Sequence, residues 1–119
     1  MRHNLKNISL FIFIFITEIS YAEKLKIISA GDVIPHLAVQ NYAIRNGGFY
    51  TLFDRISALI KMSDISIANF EASMNPLKPV SGFPFFNAHP DLMNALKKTG
   101  FNLLSLANNH SLDMGAEGL

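Results

Sequence analysis

Three short apolar runs alternate with segments of helical periodicity, and this order limits the possible folds more than any other feature of the sequence. The runs lie at 24–30, 64–68 and 101–106 and are rich in Ile and Leu. Apolar residues recur at helical spacing through 49–62, and a further helix is expected to begin at Pro90. Strands that alternate with helices form parallel sheets through right-handed crossovers. The sequence therefore predicts an α/β fold with three parallel strands, covered by helices on both faces of the sheet.

Prolines, glycines and polar residues indicate where these elements begin and end. The segment 70–87 contains three prolines and a glycine, so we predict a long loop there. His89 precedes Pro90 and is interpreted as a helix-entry residue. Asp113 is expected to cap a further helix that begins near Gly115.

The N-terminal segment, residues 1–22, is typical of a secretory signal peptide. Arg2 and Lys6 form a basic start, residues 8–17 form an apolar run, and Ser20-Tyr21-Ala22 places small residues before a cleavage position. A membrane-spanning helix needs about 20 apolar residues, and this run is shorter. We therefore predict a secreted or periplasmic protein, or a membrane-anchored one if cleavage fails. A buried strand or a short anchor is the alternative interpretation.

Cysteine content and charge exclude several classes of protein. The chain contains no cysteine, which excludes disulfides, thiolate metal ligands and thiol nucleophiles. The formal net charge is +1, and loss of the signal segment removes two basic residues and one acidic residue, which leaves a neutral chain. A neutral chain lacks the basic surface that nucleic acid binding needs, so we predict no nucleic acid partner.

Polar side chains that can bind metals follow each of the three predicted strands. The first strand is followed by Asp32 and His36, the second by Asn69 and Glu71, and the third by Asn108, Asn109 and His110. Sites in parallel sheets form beyond the carboxyl ends of the strands, so these side chains are expected to converge. Carboxylate, imidazole and amide groups suit Mg, Mn, Fe or Zn. Two such ions roughly 4 Å apart could activate a water, and a histidine could instead act as a general acid.

Each of these residues also has an ordinary structural interpretation. Asp32 is compatible with a turn after a strand, and Glu71 with a solvated loop charge. Asn108 and Asn109 are compatible with a turn, because Asn tolerates left-handed backbone well. His110 is compatible with a polar surface position. Their joint placement at three strand ends favours a site over these alternatives.

Four segments resemble the CapA/PgsA proteins of bacterial capsule and poly-γ-glutamate synthesis. They are Ile-Ser-Ala-Gly-Asp-Val at 28–33, Asp-Ile-Ser-Ile-Ala-Asn-Phe-Glu at 64–71, Phe-Asn-Ala at 86–88, and Ser-Leu-Ala-Asn-Asn-His-Ser-Leu-Asp-Met-Gly at 105–115. The last segment is the most specific. The resemblance implies a metallophosphatase-like α-β-β-α sandwich, in which two sheets are flanked by helices.

The resemblance also implies roles for individual residues. Asp32 would be a metal ligand, and Asn69 and Glu71 would line the metal site. Asn109 would ligate a metal through its amide oxygen, and His110 would stabilise the leaving group or the transition state.

The related phosphoesterases carry Asp-x-His in their first motif, and this chain departs from that pattern. The histidine position is occupied by Ile34. Whether His36 takes the place of that histidine, and whether a second metal binds, is therefore open.

The resemblance further implies that 23–119 is the N-terminal half of the fold, because the family carries further histidines and a second sheet in a later half. We expect an incomplete βαβαβ unit that is inactive alone, and a separate C-terminal half as a possible partner. The predicted function is an envelope protein of capsule or poly-γ-glutamate synthesis, export or anchoring, with a metal-dependent hydrolase-like site for a phosphoester or an amide. The alternatives are a non-catalytic component that binds an acidic polymer or capsule-synthase subunits, and a non-functional remnant.

Overall fold

The computed structural model describes residues 24–118, so the predicted signal segment lies outside the described residues. The elements in chain order are β1 Ile27–Val33, α1 Leu37–Arg45, a 3-10 helix Phe49–Leu52, α2 Asp54–Ile60, β2 Ile65–Phe70, α3 Pro90–Thr99, β3 Leu103–Ser105, and a 3-10 helix Ala116–Gly118. No helix within 24–118 has the length and apolarity to cross a membrane.

The three strands form one parallel sheet in the order β1-β2-β3, which confirms the predicted α/β fold and is compatible with part of a metallophosphatase-like sandwich. Ile27 of β1 lies opposite Ile65 of β2 at the start of the sheet. The register shifts between Ser29 and Asp32, so that Asp32 lies opposite Asn69. The shift fits a β-bulge, and such irregularities often lie beside functional sites.

One face of the sheet is well covered. Along β2, Ser66, Ala68 and Phe70 are buried and alternate with half-buried residues. This alternation follows from the two-residue period of a strand. Helix residues complete the core on this face, notably Leu92 and Leu96 of α3, both at most 2% exposed.

The opposite face, which we call the open face, carries Ile27, Ser29, Ile65, Ile67 and Leu103. Its members are half-buried or exposed, with Ile27 at 60% and Leu103 at 50%. The prediction of helices on both faces is therefore wrong for the described residues. A strand order of 1-2-3 advances in one direction across the sheet, and right-handed connections then place both crossovers on the same face.

Helix α1 was not predicted, because its sequence lacks a continuous apolar face. Gln40 and Ala43 are its buried residues, whereas Leu37 and Tyr42 are exposed. The predicted helix over 49–62 is instead a 3-10 helix followed by α2, and the helical geometry breaks at Phe53, where φ is −128°. Apolar spacing alone does not distinguish one continuous helix from two short ones.

Helix α3 begins and ends where the sequence predicts. The Nδ1 atom of His89 accepts a hydrogen bond from the Asp91 N–H at 3.1 Å, and Pro90 occupies the first helical position. Gly100 ends the helix with φ of +121°, a conformation that favours glycine.

The predicted long loop is present, and two buried amides hold it against the helices. Gln40 donates to the carbonyls of Pro35, Ser81 and Asn87 and accepts the His89 N–H. Asn87 accepts the Asn75 N–H at 2.7 Å and donates to three carbonyls of the same loop, those of Asn75, Lys78 and Pro79. These bonds fix the path of the chain on both sides of Phe86, which is buried.

Candidate functional site

The polar residues predicted to converge do lie along one edge of the sheet. Asp32 and Asn69 occupy paired positions on β1 and β2, and Asn69 is also paired with Ser105 of β3. Asp32 and Asn69 therefore lie inside the strands, and the prediction that they follow the strands is corrected. Both strands extend further than predicted, because their backbone groups stay paired as far as Asp32 and Asn69.

Four side chains form a hydrogen-bonded group that we call the carboxylate–amide cluster: Asp32, Asn69, Glu71 and Asn108. The Nδ2 atom of Asn69 donates to Asp32 Oδ1 and to Glu71 Oε2, each at 2.9 Å. Two carboxylate oxygens thus face a single nitrogen, and they can be no farther apart than the sum of these two distances. Two like charges at this separation favour a cation between them.

Asn108 belongs to this cluster, although the sequence favoured its neighbour Asn109. Its Nδ2 atom donates to Asn69 Oδ1 at 3.1 Å and to the Phe70 carbonyl at 2.9 Å. Its Oδ1 atom accepts the His110 N–H at 3.0 Å. The Asn-Asn-His sequence contained this residue, but it did not indicate which asparagine faces the sheet.

A second group, which we call the histidine cluster, contains His110, Asp113, Phe86 and His36. The Nδ1 atom of His110 lies 2.8 Å from Asp113 Oδ2, and the two side chains are 18% and 8% exposed. The Phe86 ring packs edge to face against His110 and His36, with centroid distances of 4.7 Å and 5.2 Å. His36 and His110 thus contact the same Phe86 ring.

Asp113 was predicted to cap a helix, and that prediction is wrong. Its Oδ2 atom accepts the Phe86 N–H at 2.7 Å and faces the His110 ring. The chain that follows forms the short 3-10 helix Ala116–Gly118. The carboxylate joins two segments that are distant in sequence, and the i, i+3 spacing of His110 and Asp113 is the sequence signal that could have indicated their contact.

Asn109 and His36 lie apart from the carboxylate–amide cluster. Asn109 is exposed and lines an open cavity of about 600 Å³ together with Ala107, Asn108, Ser111 and Leu112. Within residues 24–118, the side chains of Asn109 and His36 form no hydrogen bond to Asp32 or Glu71. Their predicted roles as metal ligands stay predictions.

The donor chemistry fits part of a site for a hard divalent cation. Asp32 and Glu71 supply carboxylate oxygens, and Asn69 supplies an amide whose N–H group lies between them. Mg and Mn favour oxygen ligands of this type. The described part of the chain holds no group of three or more His, Asp or Glu side chains arranged to bind a metal. Within residues 24–118, the cluster therefore brings two carboxylates together, and their role as metal ligands stays a prediction.

The fold and these two clusters define an α/β protein with polar and acidic side chains gathered at the carboxyl edge of a parallel sheet. The sequence profile described as "Bacterial capsule synthesis protein PGA_cap" matches residues 26–119. The chain belongs to this family of bacterial capsule synthesis proteins, which confirms the resemblance found in the sequence.

Individual relatives support the same assignment. The chain is 33% identical over 102 residues to the capsule biosynthesis protein CapA of Bacillus anthracis, across 81% of this chain and 24% of CapA. It is 28% identical over 125 residues to the uncharacterized protein y4uA of Sinorhizobium fredii (strain NBRC 101917 / NGR234), across 99% of this chain and 26% of that protein. The chain thus spans about a quarter of the length of the curated relatives that it matches.

Proposed function

We propose that this protein acts in the synthesis, export or anchoring of a bacterial capsule polymer, and that its carboxylate–amide cluster is part of a divalent metal site. Family membership supports the capsule role. The observation that carries the metal site is that Asp32 and Glu71 accept hydrogen bonds from the same nitrogen of Asn69. Poly-γ-glutamate is the polymer we propose, in line with the resemblance to CapA/PgsA proteins.

The residues of the proposed metal site would have different roles. Asp32 and Glu71 would hold the cation, and Asn69 would contribute its amide oxygen after rotation of the amide group. Until that rotation, Asn108 holds the Asn69 amide by donating to its Oδ1 atom, and Asn108 is itself held by its bond to the Phe70 carbonyl. Asn109 and His36 are the predicted additional ligands, and Asn109 is exposed in the open cavity beside Asn108.

A bound Mg, Mn, Fe or Zn ion would supply an activated water and polarise a phosphoryl or carbonyl oxygen. His110 would stabilise the leaving oxygen of a phosphoester or the leaving nitrogen of an amide. Its ring is held by Asp113 and Phe86, so its position is fixed before substrate binds.

The proposed location is the cell envelope. Membership of a family of bacterial capsule synthesis proteins supports this location, and the N-terminal segment 1–22 has the pattern of a signal peptide. The protein would be secreted, periplasmic or anchored through that segment.

A complete site would need a second segment of protein. The described residues supply two carboxylates, and the relatives are about four times as long as this chain. The open face exposes Ile27 and Leu103, which are large apolar side chains. We propose that this face packs against further family sequence, either in the same protein or in a separate C-terminal half.

The experiment that tests the metal site is a titration of the chain with Mn²⁺, followed by electron paramagnetic resonance of the free ion. We expect a saturable site that weakens at least about tenfold in Asp32→Asn and Glu71→Gln, because each change removes a charged ligand. Asp91→Asn and Glu117→Gln are matched controls on exposed carboxylates and should bind as the parent does. Equal Mn²⁺ binding by all four variants would contradict the proposed metal site.

A non-catalytic role is the second candidate, and the exposed apolar residues of the open face favour it. In that case the chain would bind capsule-synthase subunits or an acidic polymer. A chain that binds no Mn²⁺ but associates with purified poly-γ-glutamate or with a synthase subunit would support this candidate over the hydrolase-like one.

A further inference from the structure

Two neighbouring turns of the long loop expose side chains that are almost all apolar. We call residues 76–79 and 83–85 the loop tips. Leu77 is 92% exposed, Phe83 is 78% exposed and Phe85 is 61% exposed. The other members of the loop tips are also exposed, and they are Pro76, Lys78, Pro79 and Pro84. Exposed apolar surface that is gathered in one place commonly marks a contact with a partner or a membrane.

Hydrogen bonds fix both loop tips, so a loose chain does not account for their exposure. The Nδ2 atom of Asn87 donates to the carbonyls of Lys78 and Pro79, at 3.1 Å and 2.9 Å. The backbone of Asn87 also pairs with that of Ser81 in both directions. Ser81 in turn closes the second tip, because its Oγ atom donates to the Phe85 carbonyl at 2.6 Å. The two tips therefore lie side by side on one anchored residue.

The backbone of the first tip is suited to an environment with little water. Pro76 and Pro79 have no N–H group. The Leu77 N–H donates to Asn75 Oδ1 at 3.0 Å, and the Lys78 N–H donates to the Asn75 carbonyl at 3.2 Å. An unbonded N–H group is costly in an apolar medium. Every backbone N–H group of residues 76–79 already has an acceptor, so this tip can leave water without losing a hydrogen bond.

The charge of the loop complements an anionic surface. The segment 72–90 contains no Asp or Glu, and Lys78 is its one lysine or arginine. The Nζ atom of Lys78 lies 3.4 Å from the Met114 carbonyl, which keeps the ammonium group beside the first tip, and the residue is exposed. Aromatic and aliphatic side chains next to a lysine are typical of protein surfaces that enter the interface of an anionic bilayer.

We propose that the loop tips insert into an anionic lipid bilayer, with Leu77, Phe83 and Phe85 among the upper acyl chains and Lys78 at the lipid phosphates. A bilayer fits better than a protein partner, because these side chains project from two turns and do not line a groove. It fits better than an acidic polymer, because every tip residue except Lys78 lacks a polar side chain. The contact goes beyond the proposed function, and it needs neither the carboxylate–amide cluster nor a metal.

The test uses tryptophan fluorescence of the full chain, which has no tryptophan of its own. Phe83→Trp places a single tryptophan on a loop tip. Vesicles of phosphatidylcholine and phosphatidylglycerol with brominated acyl chains should shift its emission to shorter wavelength and quench it. Met62→Trp is the matched control, because Met62 is an exposed apolar residue that precedes β2, whereas the loop follows β2 at the opposite end of the sheet. It should not be quenched.

Both variants keep residues 1–22, so anchoring through that segment affects them alike. No quenching of Phe83→Trp, or equal quenching of Phe83→Trp and Met62→Trp, would overturn the proposal. Short-wavelength emission of Phe83→Trp before vesicles are added would also overturn it, because the tip would then be covered by protein. A shift with purified poly-γ-glutamate but not with vesicles would overturn it in favour of the polymer.

Further changes in the Phe83→Trp chain test the assigned contacts. The ratio of inserted to free tips at one lipid concentration, obtained from the degree of quenching, should fall about fivefold in Lys78→Gln. It should fall at least about tenfold when Leu77→Ser and Phe85→Ser are combined, because two apolar side chains no longer enter the bilayer. Lys61→Gln is the control on an exposed lysine before β2 and should leave the ratio unchanged. An unchanged ratio in the double variant would refute insertion, and equal ratios in the two lysine variants would refute the contact of Lys78 with lipid.

Discussion

The carboxylate–amide cluster and the histidine cluster lie side by side, but they are built in different ways. The carboxylate–amide cluster takes Asp32 and Asn69 from paired positions of neighbouring strands, so the sheet itself brings them together. The histidine cluster takes Phe86 from the long loop and His110 and Asp113 from a turn after β3. The geometry of the carboxylate–amide cluster therefore depends on the register of two strands. The geometry of the histidine cluster depends on the hydrogen bonds that fix the long loop.

Asn108 joins the two clusters, since its amide group contacts Asn69 and its oxygen accepts the His110 N–H. A change in one cluster can reach the other through this residue. The following variants test how independent the two clusters are, from the largest expected effect to the smallest.

Asn87→Ala should lower the free energy of unfolding by about 3 kcal/mol, because a buried residue with four hydrogen bonds to the loop is lost and its partners stay unpaired. Urea denaturation measures the change. The exposed Asn94 on α3 provides the control, and Asn94→Ala should cost less than about 0.5 kcal/mol. The His110 resonances should also move, since the loop that carries Phe86 is released. A loss below about 1 kcal/mol would show that the four hydrogen bonds of Asn87 contribute little to the stability of the fold.

Asn69→Ala should cost about 2 kcal/mol, because Asp32 and Glu71 lose their shared donor and repel each other. Millimolar Mn²⁺ should restore part of this stability by replacing the amide N–H between the two carboxylates. The measurement is the urea midpoint with and without Mn²⁺.

Asn102→Ala is the matched control for Asn69→Ala. Asn102 bonds Ser66 and Asp64 at the opposite end of the sheet, so its loss should also destabilise the chain. Mn²⁺ should not restore the stability that Asn102→Ala loses. Equal restoration of both variants would mean that the ion acts on the protein generally and not at the carboxylate–amide cluster.

Ser73→Ala should cost about 1 kcal/mol, because its hydroxyl holds the turn that carries His110 and its loss leaves the Met114 N–H without its acceptor. Amide hydrogen exchange should become faster at Met114, whose N–H donates to Ser73 Oγ. Ser29→Ala on the open face is the control, with little expected change. Unaltered exchange at Met114 would show that the turn is held without Ser73.

Lys98→Ala should cost about 0.5 kcal/mol, because its Nζ atom lies 4.1 Å from the centroid of the Tyr50 ring. Lys97→Ala, one position earlier in the same helix, is the matched control for loss of a helical lysine. Thermal unfolding compares the two variants. Neither variant should alter Mn²⁺ binding or the nuclear magnetic resonance signals of His110. A change in either measurement would show that the two clusters are coupled to the helices that cover the sheet.

The convergence of Asp32, Asn69 and Glu71 was predictable because it follows from two general rules. Alternating strands and helices make a parallel sheet, and the carboxyl ends of such strands lie at one edge. The choice between Asn108 and Asn109 was not predictable, because it depends on the rotation of the turn after β3. That rotation is set by Ser73 and by Asn108's own bond to the Phe70 carbonyl.

The histidine cluster was less predictable than the carboxylate–amide cluster. His110 was recognised from its neighbours in sequence, but its contact with Phe86 joins residues 24 positions apart. Helix α1 was missed for a related reason: its buried residue Gln40 is polar and binds backbone groups of a loop about 40 residues away. A pattern of apolar residues carries no information about such bonds.

The sequence by itself determined the α/β class, the helix that begins at Pro90 and is closed by Gly100, the family, and the residue types gathered at the sheet edge. These properties depend on local periodicity, on proline and glycine positions, and on motifs that are read along the chain. Only the tertiary structure decided that the helices cover one face, that Asn108 joins the two clusters, and that Asp113 faces His110 instead of capping a helix. Those contacts form between segments that are distant in sequence, because each buried polar group takes the partner that the packed chain brings within hydrogen-bond distance.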